Sequence, residues 1–310
     1  MQQTDFPYVA IVVDDASTDN EQEVIMSFLD KEFDTPNSTK EETDDYIRIV
    51  ADHRTNSNCT FVVILLKYNH YLKKSKSPYF KEWEDNAKYV AFCEGDDYWT
   101  DPLKLQKQVE ILEANPSLIA VVTNSAIVDK DGIQIQPCFT AVVPGNVEGQ
   151  YNLRDYVHHH HSYPTASIVF RNIHNEKYDK MIAATSNPYY SDWIQWFILH
   201  IFADFYYLNE VTTAYRINPN SVTHKNTNER RLGVAKANFK INESLKSILP
   251  AEYDDLRKEL DDDAWIWYNL ARAYWHANKY FRSIYSLFIG FIKRPGQLFS
   301  ELGKILKHLK

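Results

Sequence analysis

Residues Lys88 to Cys93 form a short apolar run that stops abruptly at three carboxylates, Glu94, Asp96 and Asp97, before Asp101-Pro102 opens a helical pattern. This order of apolar strand, acidic loop and capped helix leaves few folds open to the chain. Asp101 suits a helix N-cap and Pro102 the first helical position, with Leu105, Val109 and Leu112 on the buried face. Three acids in four residues exceed what capping one helix requires. Like charges so close together are costly unless something positive neutralises them. A hard divalent cation, held by oxygen ligands and shared with a phosphate-bearing substrate, meets that need.

The same order occurs near the N-terminus. Pro7 to Val13 is rich in β-branched residues and reads as a buried strand. It runs into Asp14-Asp15-Ala16-Ser17-Thr18-Asp19-Asn20, after which Val24, Ile25, Phe28 and Leu29 recur at helical spacing. Tyr46 to Ala51 and Leu118 to Val128 read as further strands. Asp129-Lys130-Asp131-Gly132 reads as a hairpin turn, and Phe61 to Leu66 fits either strand or helix. Asp30 to Asp45 reads as an exposed loop, and Lys67 to Lys76 as a basic, aromatic one. Strands alternating with helices predict an α/β domain with a mainly parallel sheet, in which ligands collect beyond the carboxyl ends of strands. Both acidic loops fall at such ends, which predicts one shared site.

Tyr190 to His200 reads as an aromatic helix entered through Ser191-Asp192, followed by two short strands, Phe205 to Leu208 and Val211 to Ile217. From Asn228 onward the pattern is helical, with a helical hairpin over Ala264 to Ile292 turning near Asn278-Lys279. The expected division is a domain over residues 1–226 and a helical appendage over 227–310.

Composition narrows the function. The formal net charge is −8 and no long Lys/Arg block stands out, which argues against nucleic acid as a partner. The three cysteines, Cys59, Cys93 and Cys138, are widely spaced and form neither a disulfide nor a metal-ligand pattern, in keeping with a reducing cytoplasm. No charged-then-apolar signal segment opens the chain, and no apolar run is long enough to span a bilayer.

Four segments in order resemble motifs of glycosyltransferase family 2. Ile11 to Asn20 is similar to that family's second-strand motif, and Glu94-Gly95-Asp96-Asp97-Tyr98-Trp99 to its DxD-type metal motif. Ser191-Asp192-Trp193 resembles the segment carrying the catalytic base, and Tyr215-Arg216-Ile217 the motif that follows. The resemblance covers roughly residues 1–224. It implies a Rossmann-like GT-A fold and an inverting, metal-dependent transfer of a sugar from a nucleotide sugar, a UDP-sugar above all. The acceptor would be a saccharide or lipid-linked molecule in surface polysaccharide assembly. By position, Asp14 or Asp15 would contact the base, with Asp15 favoured, and Asp96 would lie against ribose and diphosphate and share the metal with Asp97. Asp97 would bind Mg2+ or Mn2+, with Glu94 in place of the usual first Asp, and Asp192 would be the general base. Asn218 stands where many relatives have His, and under the resemblance His224 would substitute as a ligand to metal or diphosphate. Met1 to Phe6 resembles the end of the family's first helix, which implies that the usual first strand–helix unit is missing.

Plainer readings compete at each position. Asp192 also suits a helix N-cap, and Asp19 reads as a solvated turn residue. His158 to His161 reads as a loop, because consecutive residues in regular structure cannot all face one ion. The basic, aromatic C-terminal helices pack on the domain or lie peripherally on the inner face of a membrane. Rival functions are an inactive, truncated relative serving as an interaction module and a metal-dependent phosphohydrolase.

Overall fold

The computed structural model describes residues 1–71, 73–159, 161, 163–173, 175–185, 191–217 and 227–298. In chain order these form β1 (Tyr8–Asp14), α1 (Glu21–Glu32), β2 (Thr39–Glu42), β3 (Tyr46–Asp52), β4 (Cys59–Leu66), α2 (Lys81–Asn86), β5 (Tyr89–Ala91), β6 (Tyr98–Trp99) and α3 (Lys104–Ala114). Then follow β7 (Leu118–Val128), β8 (Gln134–Gln136), β9 (Gly149–Tyr151), α4 (Leu153–His158), β10 (Ile168–Arg171), α5 (Glu176–Thr185), α6 (Ser191–Phe202) and β11 (Asp204–Arg216). Helices α7 (Asn228–Ile248), α8 (Asp254–Asp261), α9 (Ala264–His276) and α10 (Tyr280–Lys293) complete the described chain.

Two compact units divide it. The first comprises Met1–Val90, Asp101–Ala114 and Val169–Asn172, and the second Ala91–Thr100, Asn115–Ile168 and Ile173–Lys310. The helices after residue 227 fall in the second unit.

In the first unit the strand order is β1-β4-β3-β2. β1 pairs with β4 in parallel, whereas β4–β3 and β3–β2 are antiparallel. The expectation of a mainly parallel sheet is therefore corrected: the sheets are mixed. The reason lies in the connections. Residues 43–45 and 53–58 are too short for the crossover that parallel neighbours require, so those strands turn back on each other. The supposed loop over Asp30 to Asp45 contributes the edge strand β2. β4, ambiguous by pattern, is buried along nearly its whole length. One of its faces joins Leu29, Phe33 and Ile49 in a core, and the other joins Tyr79 in a second. Near the N-terminus, the buried Gln2 side chain donates to the Asp101 carbonyl at 2.8 Å and accepts from the Leu105 N–H at 2.9 Å, fixing the start of α3. The helix starts at Lys104, two residues after the expected Pro102, and in the turn before it Asp101 accepts from the Leu103 N–H at 2.8 Å.

In the second unit β11 is the organising strand. It runs parallel to β7 and antiparallel to β6 and β9, while β8 folds back antiparallel on β7 through the Asp129–Gly132 turn. The two short strands expected over 205–217 are one strand with register shifts at Tyr207/Val211 and Val211/Thr213. β7 and β11 share a buried hydroxyl layer, in which Thr123 bonds Thr212 at 2.6 Å and Ser125 bonds Thr213. Farther along the chain, α7 and α9 meet through Leu232, Ala235, Leu270, Ala273 and Tyr274, and Phe239 packs edge-on to Trp267.

Leu29 is fully buried in the first core, whereas Val24, one helical turn earlier, is 65% exposed. Leu29→Ala is expected to cost about 2–5 kcal/mol in a urea titration, and Val24→Ala under about 0.5 kcal/mol.

Candidate active site

The acidic loop is held by the second unit's sheet. β6 pairs with β11 at Trp99↔Thr213 and Tyr98↔Ala214, and the Thr100 N–H donates to the Thr212 carbonyl at 2.9 Å. Immediately before β6, Glu94 to Asp97 form a tight turn in which the Asp97 N–H donates to the Glu94 carbonyl at 3.0 Å. Arg216, at the end of β11, clamps this turn. Its backbone N–H donates to Asp97 Oδ1, its Nε to the Asp96 carbonyl and its Nη1 to the Lys130 carbonyl, each at 2.9 Å. The guanidinium also lies 5.4 Å from the centre of the Tyr98 ring.

A second wall comes from Thr165. The Trp99 indole N–H donates to the Ala166 carbonyl at 3.0 Å, and the Ser167 hydroxyl donates to the Pro164 carbonyl at 2.7 Å, so residues 165–167 are tied to the same strands. The third wall is the first turn of α6, whose Ile194, Trp196, Phe197, Ile198 and Leu199 are buried. An aromatic cluster locks that helix: Tyr156 stacks on Trp193 and donates its hydroxyl to the Trp193 carbonyl at 3.2 Å, and His200 stacks on Phe205.

Together these elements line an open cleft of about 270 Å3 bounded by Phe92, Cys93, Glu94, Thr165, Asp192 and Gln195. Asp192 is not the N-cap that its sequence position equally allowed. It lies within the first helical turn, accepts from the Trp193 N–H at 2.9 Å and faces the cleft. A carboxylate at this positive end of the helix dipole is electrostatically favourable.

Electrostatics tie the acids into one group. Burial pushes the Glu94 carboxyl up to about 7, helped by the charges of Asp97, Asp192 and Asp96 and opposed by a hydrogen bond with Thr165. The residue keeps open surface in the cleft, yet its carboxyl is crowded by protein and by like charge. Asp97, itself buried, is pushed up to about 6, mainly by burial; the Arg216 N–H opposes the rise and the Asp96 charge adds to it. The Tyr215 hydroxyl is likewise raised by burial and then by Asp97, Asp96, Glu94 and Asp192. One tyrosine therefore senses all four acids. The Arg216 charge opposes the rise at Asp97, and the oxygen donors of the cluster are those a hard divalent cation takes. Among the described residues no three His, Cys, Asp or Glu converge as a complete metal cage. A cation shared with phosphates needs only one or two carboxylates from the protein, so the donors present fit that role. His224 lies outside the described residues.

The first acidic loop is built differently. Asp14 is buried and accepts from the Gln22 amide at 2.5 Å and from the Ser17 N–H at 3.3 Å. Asp15 accepts from the His70 N–H at 2.7 Å and from Lys76 Nζ at 3.1 Å. Burial alone would raise the Asp15 carboxyl, but these two partners hold it below its ordinary value. Ala16 adopts a left-handed φ of 58°, uncommon for a residue with a side chain. Both carboxylates thus have partners inside their own unit. Two histidines of the run are structural: His158 ends α4 and pairs with Glu259, while His161 is buried, bonds the Tyr163 hydroxyl at 2.9 Å and is pushed down to about 4 by burial.

Sequence reasoning brought together Glu94, Asp96, Asp97 and Asp192. It missed the clamp formed by Arg216, the sensing position of Tyr215 and the cleft-lining Gln195. Arg216 was visible only as part of a motif, because its key contacts include a main-chain N–H.

No protein-family model matches the chain. Over 133 residues it is 33% identical to an uncharacterized protein of Mycobacterium bovis, and equally so to uncharacterized proteins of two Mycobacterium tuberculosis strains. The matched segment is 42% of this chain and 30% of each relative, so the chain spans less than a third of those proteins' length.

Two stability effects follow. Glu94 and Asp97 are held above their ordinary values, so the folded state binds more protons than the unfolded one between about pH 4.5 and pH 7. The cluster is destabilising above that window and is relieved as pH falls through it. Without divalent cation, Glu94→Gln is expected to stabilise the protein by about 1 kcal/mol at pH 8, allowing for solvent screening in the cleft, and much less at pH 5. Urea titrations at the two pH values check this. Arg216→Lys keeps the charge but loses the fork that reaches two carbonyls. It is expected to cost about 1 kcal/mol and to increase amide exchange at Asp97, read by hydrogen exchange.

Proposed function

We propose that the protein is a glycosyltransferase that moves a sugar from a nucleotide-sugar donor to an acceptor hydroxyl with inversion. The observation that carries this reading is the open cleft lined by Glu94, Thr165 and Asp192, where the nearby charges of Asp97 and Asp96 add to the effect of burial on Glu94. A nucleoside diphosphate brings further negative charge, which this cluster tolerates only with a cation. Asp97 and Glu94 are the residues that would hold Mg2+ or Mn2+. Such an ion, when bound, stabilises the charge on a departing diphosphate.

The chain's own residues supply the remainder. Asp97 has one oxygen committed to the Arg216 N–H, which fixes the orientation of the other. Thr165 bonds Glu94 and sets its side chain across the cleft. Asp192, on a rigid helix, takes the proton of the acceptor hydroxyl as that oxygen bonds to the anomeric carbon and the bond to the diphosphate breaks. A base in this position contributes about 10²–10⁴-fold. The acceptor class is a saccharide or a lipid-linked sugar, and the setting is surface polysaccharide assembly.

Calorimetry with UDP and Mn2+ tests the reading. The intact protein is expected to bind UDP only with the metal present, and Asp97→Asn to weaken binding by about tenfold or more. Asp192→Asn should leave UDP binding intact while lowering sugar transfer by about 10²–10⁴-fold. Absence of metal-dependent binding of any nucleoside diphosphate would sink the proposal.

A further inference from the structure

Helix α10 is packed the wrong way round for a helix belonging only to a protein core. Its inward face is made of small residues: Ser283, Ser286 and Gly290 are buried. The Ser283 hydroxyl donates to the Ala271 carbonyl at 2.8 Å, and Gly290 lies so close to the Tyr268 ring that an added Cβ would sit 3.0 Å from it. The large apolar side chains point outward. Phe281 is 86% exposed, Ile284 61%, Tyr285 56%, Phe288 58% and Ile292 59%. Their positions repeat at helical spacing, so they form one continuous stripe. Contiguous apolar surface of this kind marks an interaction site.

Charge identifies the occupant. α10 contains no Asp or Glu. Lys279 and Arg282 lie at its start and Lys293 and Arg294 at its end, the last two also paired with Asp263 and Asp262. From Ala264 onward the sequence carries eight Lys or Arg and a single acid, Glu301, in a chain whose formal net charge is −8. A Phe/Ile/Tyr stripe rimmed by cations is the composition of a helix that lies in a membrane interface. A second copy pairing through the same stripe about a two-fold axis would bring the same cations together, whereas an anionic surface relieves them. Among the described residues no helix is long and apolar enough to cross a bilayer, so the contact is in-plane.

We infer that α10 docks the protein onto an anionic lipid surface, with Phe281, Ile284, Tyr285, Phe288 and Ile292 entering the headgroup–acyl boundary and Lys279 and Arg282 facing the lipid charges. The inference does not depend on the transferase reading.

Co-sedimentation of the full chain with vesicles of phosphatidylcholine and phosphatidylglycerol, and with phosphatidylcholine alone, tests it. The protein is expected to bind the mixed vesicles and to bind the neutral ones about tenfold or more weakly. Phe281→Glu combined with Phe288→Glu should lower binding to mixed vesicles by at least about tenfold. Both side chains are exposed, so the melting transition and helical circular dichroism should not change. Lys279→Glu with Arg282→Glu keeps the stripe and should lower binding chiefly at low salt. The inference is overturned if the intact protein fails to bind mixed vesicles, if it binds both vesicle types equally, or if the double Phe variant binds as well as the parent. It is also overturned if sedimentation velocity shows a dimer that the double Phe substitution dissociates.

Discussion

Burial of the Glu94 and Asp97 carboxyls, compounded by the charges of Asp96 and Asp192, is the constraint on which the acidic site of the second unit depends. Left alone, acids this close together would spread apart or take up protons. Two strands and a helix prevent the first outcome. β6 is bonded to β11, Arg216 grips the turn by main chain and side chain, and α6 is anchored by Trp196, Phe197 and the Tyr156–Trp193 stack. The second outcome is what remains: Glu94 rises to about 7 and Asp97 to about 6. The cluster thereby costs stability above about pH 7, and perturbed acids in a cleft are a recognised mark of function.

The two acidic loops look alike in sequence and differ in physics. Asp14 and Asp15 are satisfied by Gln22, Ser17, His70 and Lys76, and Asp15 lies below its ordinary value. Glu94 and Asp97 are held above theirs. Lys76, 61 residues after Asp15, lowers that carboxyl, whereas Arg216, 119 residues after Asp97, only opposes a rise that burial dominates. Composition of a loop cannot distinguish these cases, because the sign of the shift depends on who faces it.

The fold was legible where periodicity is strong. β7, α9 and α10 lie where their patterns predict, with the hairpin turning at Asn278, whose φ is 57°. It was less legible where connection length decides, as in the antiparallel β2–β3–β4 meander read as part of a parallel sheet. β11 was read as two strands because Asn209-Glu210 interrupts an apolar pattern, yet register shifts carry the strand through. At the site, the acids and Asp192 were readable as residue types in sequence. Tyr215 and Gln195 were not, since only tertiary placement brings them to the cleft. The helical period of α10 was readable too, but not which of its faces turns inward; packing against Tyr268 and Ala271 selects the small one.

The central claim is that these carboxylates form a single group waiting for a cation, and the side-chain carboxyl of Glu94 reports on it directly. A carbon-13 NMR titration of that carboxyl should give a midpoint near pH 7 without divalent ions. Saturating Mg2+ should move the midpoint down towards or below the ordinary glutamate value, because the cation favours the ionised form. A midpoint near 4.5 that Mg2+ leaves unchanged would contradict the account.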